Sequence, residues 1–254
     1  MPHPSSSTRP RIVPGILDGA TVVVVGGSSG FGRQVVLDAA ESGARVVVIG
    51  RDAAKAADVA REAGALGGEA VALGADATTP AGLEAIAAAV GEADHLVSTL
   101  GGAMGGGFME ASFAEIRATV EGKVFDNLAL VRALAPRLRA GGSITLTAGT
   151  GGSPATASGA YLGNEGIATL VRGLAVELAP RLRVNAVAPT WTPTPLWRDV
   201  PEADVARTRR HFDEVIPLGR TGDVEEVAQA YLFLMTCGFV TGQTLAVDGG
   251  MALV

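Results

Sequence analysis

The stretch GGSSGFG at residues 26–32 is the first part of the chain whose residue types and spacing could do chemistry. It follows the β-branched run at 20–25 and precedes residues 30–42, whose apolar positions recur at helical spacing. Glycines let the backbone turn sharply and approach a pyrophosphate, and the unpaired N–H groups at the start of a helix bind its negative charge. A glycine-rich turn that binds nothing is the alternative, but the strand-to-helix position favours a dinucleotide site.

The end of the second predicted strand carries residues that would select between two dinucleotides. Arg51 follows Gly50, and a cation at this tip would pair with a ribose 2′-phosphate, whereas a carboxylate would accept bonds from a 2′-hydroxyl. Asp52 keeps the second possibility open, although it equally fits the N-cap of the helix that follows. We therefore expect NADP(H) to be preferred over NAD(H).

A framework of alternating strands and helices must position these residues. Runs rich in β-branched residues, without polar alternation, predict strands that are covered on both faces. Segments with helical spacing separate them, which predicts a single doubly wound parallel α/β sheet of about seven strands with helices on both faces. Strands are expected at 20–25, 45–50, 70–73, 95–99, 143–147, 183–188 and 244–247, and helices at about 30–42, 53–64, 80–91, 111–139, 160–179 and 223–236.

Composition also shifts at three places that suggest how the chain is divided. Residues 1–15 begin with a proline-bearing polar stretch and are expected to form a flexible arm that is neither a signal peptide nor an anchor. Residues 16–254 show no repeat or linker and are expected to form one domain. The segment at about 190–217 contains several prolines and both tryptophans, so we expect a long excursion from the core.

Charge and composition exclude several classes of function. The 254 residues carry a formal net charge of −6, which argues against a nucleic-acid partner. The mean hydropathy of +0.33 comes from dispersed Ala and Val without 18 apolar residues in a row, so no membrane partner is expected. Cys237 is the only cysteine, which suits a reducing compartment and predicts a cytoplasmic location. None of the three histidines has a second ligand at metal spacing, so no metal site is expected.

From about residue 16 onward the chain resembles the short-chain dehydrogenase/reductase family. GGSSGFG resembles that family's TGxxxGxG loop with Val25 in place of threonine, STLG at 98–101 stands where the family has NNAG, and residues 183–190 resemble RVNxxxPG. The tail motifs PLGR, EEVA, FVTG and VDGG match most closely. The resemblance implies a Rossmann-like fold and a nicotinamide cofactor. Together with the loop and Arg51 argued above, the expected cofactor-binding residues are Gly26, Ser28, Ser29, Gly30, Phe31, Gly32, Arg51, Asp76, Ala77, Leu100, Gly101, Lys123, Pro189, Thr190 and Thr192.

The family's catalytic tyrosine and lysine are not both present. The family places the lysine four residues after the tyrosine, but Tyr161 is followed at that distance by Glu165. A gapless alignment through the later part of the helix instead puts Ala160 and Asn164 at the two positions. Both alignments stay open, and the lysine is missing from each of them.

Three candidate catalytic residues remain: Lys123, Tyr161 and Thr147. The resemblance puts Lys123 where the family has an asparagine on its central helix; it would bring positive charge to a ribose or substrate oxygen, or else be a solvated helix lysine. Tyr161 would act as acid or base in a shifted register, or pack as an aromatic residue at the start of the helix. Thr147 stands near the family's serine position and would orient a carbonyl, or be structural.

The resemblance also suggests the kind of substrate and partner. In the family the excursion covers the substrate, and its side chains here include Trp191, Leu196 and Trp197, which indicates an apolar or cyclic small molecule. A subunit contact is the alternative for these aromatic residues. Helices like those at 111–139 and 160–179 build the family's dimers and tetramers, so a homo-oligomer, tetramer or dimer, is expected.

Three functions stay open. The first is an NADP(H)-dependent oxidoreductase that acts on a carbonyl or alcohol with an altered active site, since hydride transfer is chiefly the cofactor's chemistry. The second is a non-redox enzyme on the same scaffold, an isomerase, dehydratase, lyase or cyclase, which loss of the proton-relay residues would favour. The third is a non-catalytic protein that binds the nucleotide or a metabolite.

Overall fold

A computed structural model describes residues 13–254. Of the arm expected at 1–15, residues 1–12 lie outside the described residues. The strands are β1 (Thr21–Val25), β2 (Arg45–Gly50), β3 (Ala70–Gly74), β4 (Ala93–Ser98), β5 (Leu138–Thr147), β6 (Arg183–Pro189) and β7 (Thr244–Val247). The α-helices are α1 (Gly30–Glu41), α2 (Ala53–Ala65), α3 (Pro80–Ala89), α4 (Phe113–Val120), α5 (Asp126–Leu134), α6 (Ser158–Glu177), α7 (Glu202–Val215) and α8 (Val224–Thr236).

The strands of the described chain form one seven-stranded sheet in the order β3-β2-β1-β4-β5-β6-β7. All neighbouring strands are parallel. Val22, Val23 and Val24 are fully buried although they point alternately to opposite faces, because helices cover both sides of the sheet. The predicted doubly wound, Rossmann-like α/β fold is confirmed.

Each face of the sheet has its own apolar core. On one face α1 packs between α2 and α8, and the buried side chains include Val36, Val48 and Leu234. On the other face α5 and α6 lie over β4, β5 and β6, with Leu96, Leu130 and Ile167 among the buried residues. Two apolar layers hold the strands in a fixed register, so the residues at the strand ends are held in place.

The helical region predicted at about 111–139 is present as a run from 113 to 137, and it differs from the prediction in its make-up and its end. The structure divides it into α4, a π-helical turn at Glu121–Phe125, α5 and a 3₁₀ turn at Ala135–Arg137. Pro136 has no N–H to continue the helix, and β5 then starts at Leu138, five residues before the predicted strand. The π-helical turn inserts extra backbone into the helix, and such turns often occur at functional sites.

The excursion at about 190–217 contains a helix that was not predicted, because the prolines of the segment favour irregular structure. After Pro201 no further proline interrupts the chain until Pro217, and α7 fills that interval with Glu202 and Asp204 in its first turn. Acidic side chains there favour helix formation through the helix dipole. The excursion is therefore partly regular and presents a defined helix face to the rest of the domain.

The chain changes direction across the sheet between β3 and β4. From β1 it builds outward through β2 and β3, and it then returns to the other side of β1 to place β4. In open α/β sheets a crevice forms at this point, outside the carboxyl ends of the two adjacent strands. None of the described helices is both long enough and apolar enough to cross a membrane.

Candidate functional site

The loop at residues 26–32 lies in this crevice between β1 and α1. Gly26 has a φ of +82°, which an L side chain rarely adopts, and a Cβ added to Gly32 would lie 2.3 Å from the Gly26 carbonyl oxygen. Ser29 is the N-cap of α1 in extended conformation, and its side chain makes no capping hydrogen bond. The first N–H groups of α1 are thus left for a ligand, and the compact glycine turn leaves room for a pyrophosphate.

A cleft of about 810 Å³ extends from this loop over the carboxyl ends of the neighbouring strands. Gly32 is the one predicted cofactor residue that does not line the cleft; it is buried beneath the loop. The predicted residues brought together along the cleft are Gly26, Ser28, Ser29, Gly30, Phe31, Arg51, Asp76, Ala77, Leu100, Gly101, Lys123, Thr147, Tyr161, Pro189, Thr190 and Thr192.

Arg51 and Asp52 at the end of β2 face different ways. The Asp52 carboxylate accepts hydrogen bonds from the backbone N–H groups of Ala54, at 3.0 Å, and of Lys55, at 3.1 Å. These bonds cap α2, and the bond from Lys55 is the main cause of the lowered pKa of Asp52. Arg51 is exposed and lines the cleft. The carboxylate therefore serves the helix, while the guanidinium is left for a ligand.

Asp76 and Ala77 line the same end of the cleft after β3. The Asp76 carboxylate accepts bonds from the backbone N–H of Thr78 at 3.0 Å and from its hydroxyl at 2.8 Å. These two bonds are the largest causes of the lowered pKa of Asp76, and the charge of Arg51 lowers it further. Asp76 is thus a fixed anionic acceptor at the edge of the cleft.

Lys123 is a buried cation in the middle of the site. It lies on the π-helical turn with 7% of its surface exposed, and its Nζ is 3.5 Å from the carbonyl oxygen of Ala148. Its aliphatic stem passes between two glycines: an added Cβ would lie 2.8 Å from its Cγ at Gly101 and 2.9 Å from its Cδ at Gly163. Burial lowers the pKa of Lys123 from 10.5 to about 8.

A buried hydrogen-bond network holds the backbone of Lys123. Asn127 donates from Nδ2 to the Lys123 carbonyl oxygen at 2.6 Å and accepts at Oδ1 from the Ser98 hydroxyl at 2.6 Å. The backbone N–H of Leu100 donates to the same Ser98 oxygen at 3.3 Å. Sequence reasoning missed Asn127, although a lone amide among the buried positions of α5 is a visible signal that could have found it.

Helix α6 presents one face to the cleft. Ala160, Tyr161 and Asn164 line it, whereas Glu165 is exposed and lies outside the lining. The pair spaced by four residues on this face is therefore Ala160 and Asn164, with Tyr161 beside them. Within the described residues the side-chain oxygen of Asn164 is buried and has no hydrogen-bond partner.

The hydroxyl of Thr147 is already bonded inside the protein. It donates to the Ser98 carbonyl oxygen at 2.7 Å and lies 2.6 Å from the hydroxyl of Tyr231, whose pKa is raised by complete burial. The role expected for Thr147 stays a prediction. Thr150 lines the cleft nearby, and its buried hydroxyl has no partner in the described part of the chain.

Aromatic side chains form one wall of the cleft. Trp191 stacks with Trp197, at a centroid distance of 5.9 Å, and with Phe212 of α7, at 5.6 Å. The indole N–H of Trp197 donates to the carbonyl oxygen of Thr192 at 2.9 Å, which fixes the excursion to the end of β6. This wall offers a planar apolar surface in the same cleft as Lys123 and Tyr161.

The described residues contain no group of three or more His, Cys, Asp or Glu side chains that could hold a metal ion. His95 on β4 is buried, with its Nδ1 2.9 Å from the Ser143 hydroxyl. Burial lowers the pKa of His95 to about 4, so its ring is neutral at physiological pH. It does not line the cleft.

Comparisons with known proteins agree with this fold. A family model described as enoyl-(acyl carrier protein) reductase matches residues 25–252. The short-chain dehydrogenase/reductase fsr5 of Gibberella fujikuroi is 34% identical over 177 residues. The chain spans 66% of that relative's length and 35% of the length of several other curated relatives.

Solved structures match over nearly the whole chain. A short-chain type dehydrogenase/reductase from Mycobacterium marinum has a TM-score of 0.84 at 27% identity, covering 94% of this chain and 97% of that one. A 7α-hydroxysteroid dehydrogenase, complexed with NADH and 7-oxo glycochenodeoxycholic acid, has a TM-score of 0.82 at 28% identity, covering 93% of this chain and 96% of that one.

Proposed function

This chain belongs to the short-chain dehydrogenase/reductase family of oxidoreductases, and on that premise we propose that it is an NADP(H)-dependent enzyme with an altered catalytic set. It acts on the carbonyl or alcohol group of a small apolar or cyclic substrate. The observation that carries the proposal is Lys123, a cation buried in the dinucleotide cleft without an ion-pair partner among the described residues. Such a charge is costly to bury and is best explained by chemistry at the site.

The cleft fits a nicotinamide dinucleotide on two structural grounds. A side chain at Gly32 would collide with the Gly26 carbonyl oxygen, so only glycine allows this compact turn, and the start of α1 has N–H groups to offer. The ribose and adenine would be held by Arg51, Asp76 and Ala77. When bound, the cofactor supplies or accepts the hydride.

The substrate oxygen would be served by Lys123 and Tyr161. A buried ammonium stabilises negative charge on an oxygen far better than an exposed one, because little water screens it. Tyr161 on the neighbouring face of α6 would donate or accept the proton. Thr147, or the unpartnered hydroxyl of Thr150, would orient the carbonyl.

The preference for NADP(H) rests on the end of β2. The carboxylate of Asp52 is committed to capping α2, so Arg51 is the charged side chain free to meet a ribose substituent there. A guanidinium pairs with a phosphate through two parallel hydrogen bonds.

The substrate class and the assembly belong to the same proposal. Stacked Trp191, Trp197 and Phe212 support an apolar or cyclic substrate. A homo-oligomer, tetramer or dimer, is supported by the large exposed side chains Phe113 and Phe125 along α4 and the π-helical turn. The cytoplasmic location expected from the cysteine usage stays a prediction.

The first experiment is a fluorescence titration of the purified protein with NADPH and, in parallel, with NADH. We expect tight binding that favours NADPH, followed by NADPH-dependent reduction in a panel of cyclic and aromatic ketones. Lys123→Met should abolish most of that turnover, whereas Lys55→Met, which changes an exposed lysine of α2, should not. Failure to bind either nucleotide would overturn the proposal.

A non-redox enzyme is the second candidate, and one observation favours it. The residues four apart on the cleft face of α6 are Ala160 and Asn164, which cannot relay a proton as a tyrosine and lysine would. An isomerase, dehydratase, lyase or cyclase would convert its substrate without net consumption of NADPH. Product analysis beside the absorbance of NADPH separates the two. A protein that only binds nucleotide would give binding without any product.

A further inference from the structure

We propose that Asn164 is the positioning residue for Lys123, accepting a hydrogen bond from its ammonium through the side-chain oxygen. The pair would then act as one unit, with the amide deciding where the ammonium points. The catalytic consequence rests on the function proposed above, whereas the pairing itself does not.

The two polar groups lie between the same two chain segments. The Lys123 Nζ is 3.5 Å from the carbonyl oxygen of Ala148, and a Cβ on the next residue, Gly149, would lie 3.1 Å from the Asn164 amide nitrogen. On the other side, the Lys123 stem runs against Gly163, the residue before Asn164. The ends of both side chains are therefore confined to the gap between the end of β5 and the first turns of α6.

In the described structure, the Lys123 ammonium has donors that lack acceptors, and the Asn164 side-chain oxygen is an acceptor without a donor. An ammonium has three donors, and the structure describes one acceptor for Lys123, at the long limit of a hydrogen bond. The Asn164 oxygen is buried without a donor among the described residues. A buried unpaired polar atom is strongly unfavourable, so rotation about the terminal bonds of the lysine toward Asn164 would satisfy both groups.

No charged group competes for this role. The titratable groups around the ammonium are Glu121 and Asp126 on its own helix, Tyr161 and Glu165 in the first turns of α6, and Arg51, Asp76 and Arg198 elsewhere along the cleft. None of them forms an ion pair with Lys123 in the described structure, and its pKa responds to burial alone. An amide directs the ammonium without neutralising it. Lys123 therefore keeps both its charge and its ability to lose a proton.

The test uses the fact that the sequence has only two lysines, Lys55 and Lys123. Protein labelled with ¹³C-lysine gives two side-chain CεH₂ signals, and exposed Lys55 serves as the internal reference. We expect Asn164→Leu, which removes the acceptor, to lower the titration midpoint of Lys123 by roughly one pH unit. Asn164→Asp should raise it by about 1–2 pH units, and Asn164→Gln should restore most of the native value.

Turnover gives the second readout. In Asn164→Leu we expect kcat to fall roughly tenfold with little change in KM, and the pH midpoint of kcat to move with the NMR midpoint. A Lys123 midpoint that is the same in wild type, Asn164→Leu and Asn164→Asp would overturn the inference, whatever the turnover. An enzyme that shows no NADPH-dependent turnover, yet shows both NMR shifts, would refute the proposed function and leave the pairing intact.

Discussion

A residue in the cleft can lower the stability of the fold and still serve the chemistry of the site. Lys123 is the clearest case. Its stem needs glycine at both 101 and 163, and its ammonium is buried with one carbonyl contact. Replacing a buried charge with an apolar side chain of similar length commonly stabilises a protein. A lysine kept at this position therefore trades stability for charge inside the cleft.

Lys123→Met should accordingly raise stability while it removes activity. We expect a gain in unfolding free energy of roughly 1–3 kcal/mol at pH 7, measured by urea denaturation. The pKa of Lys123 is lowered by burial to about 8, so the unfolded chain binds the extra proton between pH 8 and 10.5. The cost of the charge is fully present below pH 8, so the gain should shrink as the pH rises toward 10.5. Lys55→Met should give no such gain, and equal stability of both variants would contradict this reading.

The pH dependence of turnover should follow the same group. If the ammonium of Lys123 serves the substrate oxygen, carbonyl reduction is full below about pH 8, the pKa set by burial, and falls about tenfold per unit above it. Initial rates at saturating NADPH across pH 6–10 (an interval of roughly two units on each side) measure this. A profile without a decline above pH 8 would argue that Lys123 acts without losing its proton.

Arg51 should decide between the two nucleotides. Arg51→Asp removes the guanidinium and adds a carboxylate, so we expect NADPH affinity to fall roughly 10–100-fold and NADH affinity to hold or rise. Arg61→Asp on the exposed side of α2 makes the same charge change away from the cleft and should leave the ratio unchanged. Parallel fluorescence titrations give both affinities. Equal losses for both nucleotides in Arg51→Asp would contradict selection by this residue.

The orientation of helix α6 about its own axis decides which of its residues face the cleft. Its face toward the cleft carries Ala160, Tyr161 and Asn164, and Gly163 on the same side makes room for the stem of Lys123. Gly173 lies on the exposed side of the same helix, where an added Cβ would meet nothing within 4 Å. A side chain is therefore excluded at Gly163 by the neighbouring lysine, whereas at Gly173 there is room for one.

This difference gives a matched pair of substitutions. Gly163→Ala should displace Lys123 and lower kcat roughly 10–100-fold, because a Cβ there would lie 2.9 Å from the lysine Cδ. Gly173→Ala should leave kcat unchanged and raise stability by about 0.4–1 kcal/mol, since alanine restricts the unfolded chain. Steady-state kinetics and thermal unfolding of both variants measure the contrast. Full activity of Gly163→Ala would show that the lysine stem has room to move.

Elements with uniform composition could be predicted from the sequence, and elements with mixed signals could not. The valine runs of β1 and β2 predict strands because their β-branched residues are unbroken. Helix α7 was missed because flanking prolines dominate the composition of its segment, although none lies inside the helix. The π-helical turn at Glu121–Phe125 has no local sequence signal, since its register depends on packing against α4 and α6.

Some parts of the candidate site could likewise be predicted from the sequence, and others could not. The phosphate loop and Arg51 could be placed in one cleft because short motifs carry their position. The bond between Thr147 and Tyr231 joins residues far apart in the chain, and no spacing rule links them. The sequence also could not decide which pair of residues on α6 faces the cleft. The two alignments differ by a shift of one residue, and the amphipathic pattern of the helix fits both.

At the scale of the whole molecule, large apolar side chains remain on the surface of the described chain. Phe113 on α4 is 75% exposed, and Phe125 on the π-helical turn that follows is 58% exposed. Large exposed apolar patches mark interaction sites, and aromatic residues are enriched at interfaces between proteins. These two side chains would be buried by a second copy of the chain, as the family resemblance implies.

Phe125→Glu should therefore lower the assembly state. Placing a charge in an apolar interface without a partner typically costs several kcal/mol of association energy, so a dimer or tetramer should fall to smaller species. Leu66→Glu makes a comparable change at an exposed apolar residue after α2, the helix that packs on the edge strand β3, and should have no effect. Sedimentation velocity of the wild type and both variants measures this. A wild type that sediments as a monomer would contradict the expected homo-oligomer.

The place of β1 in the sheet also has a consequence for how the chain is made. Val22 of β1 pairs with Val46 of β2, which the ribosome delivers soon afterwards, and with His95 of β4, which emerges much later. Until β4 arrives, one edge of a valine-rich strand has no neighbour, and such edges recruit other chains. A nascent chain that stops before β4 would lack one side of the cleft and would expose the unpaired edge of β1. The boundary between β1 and β4, where the binding cleft forms, is thus also the place where an unfinished chain exposes an unpaired strand edge to other chains.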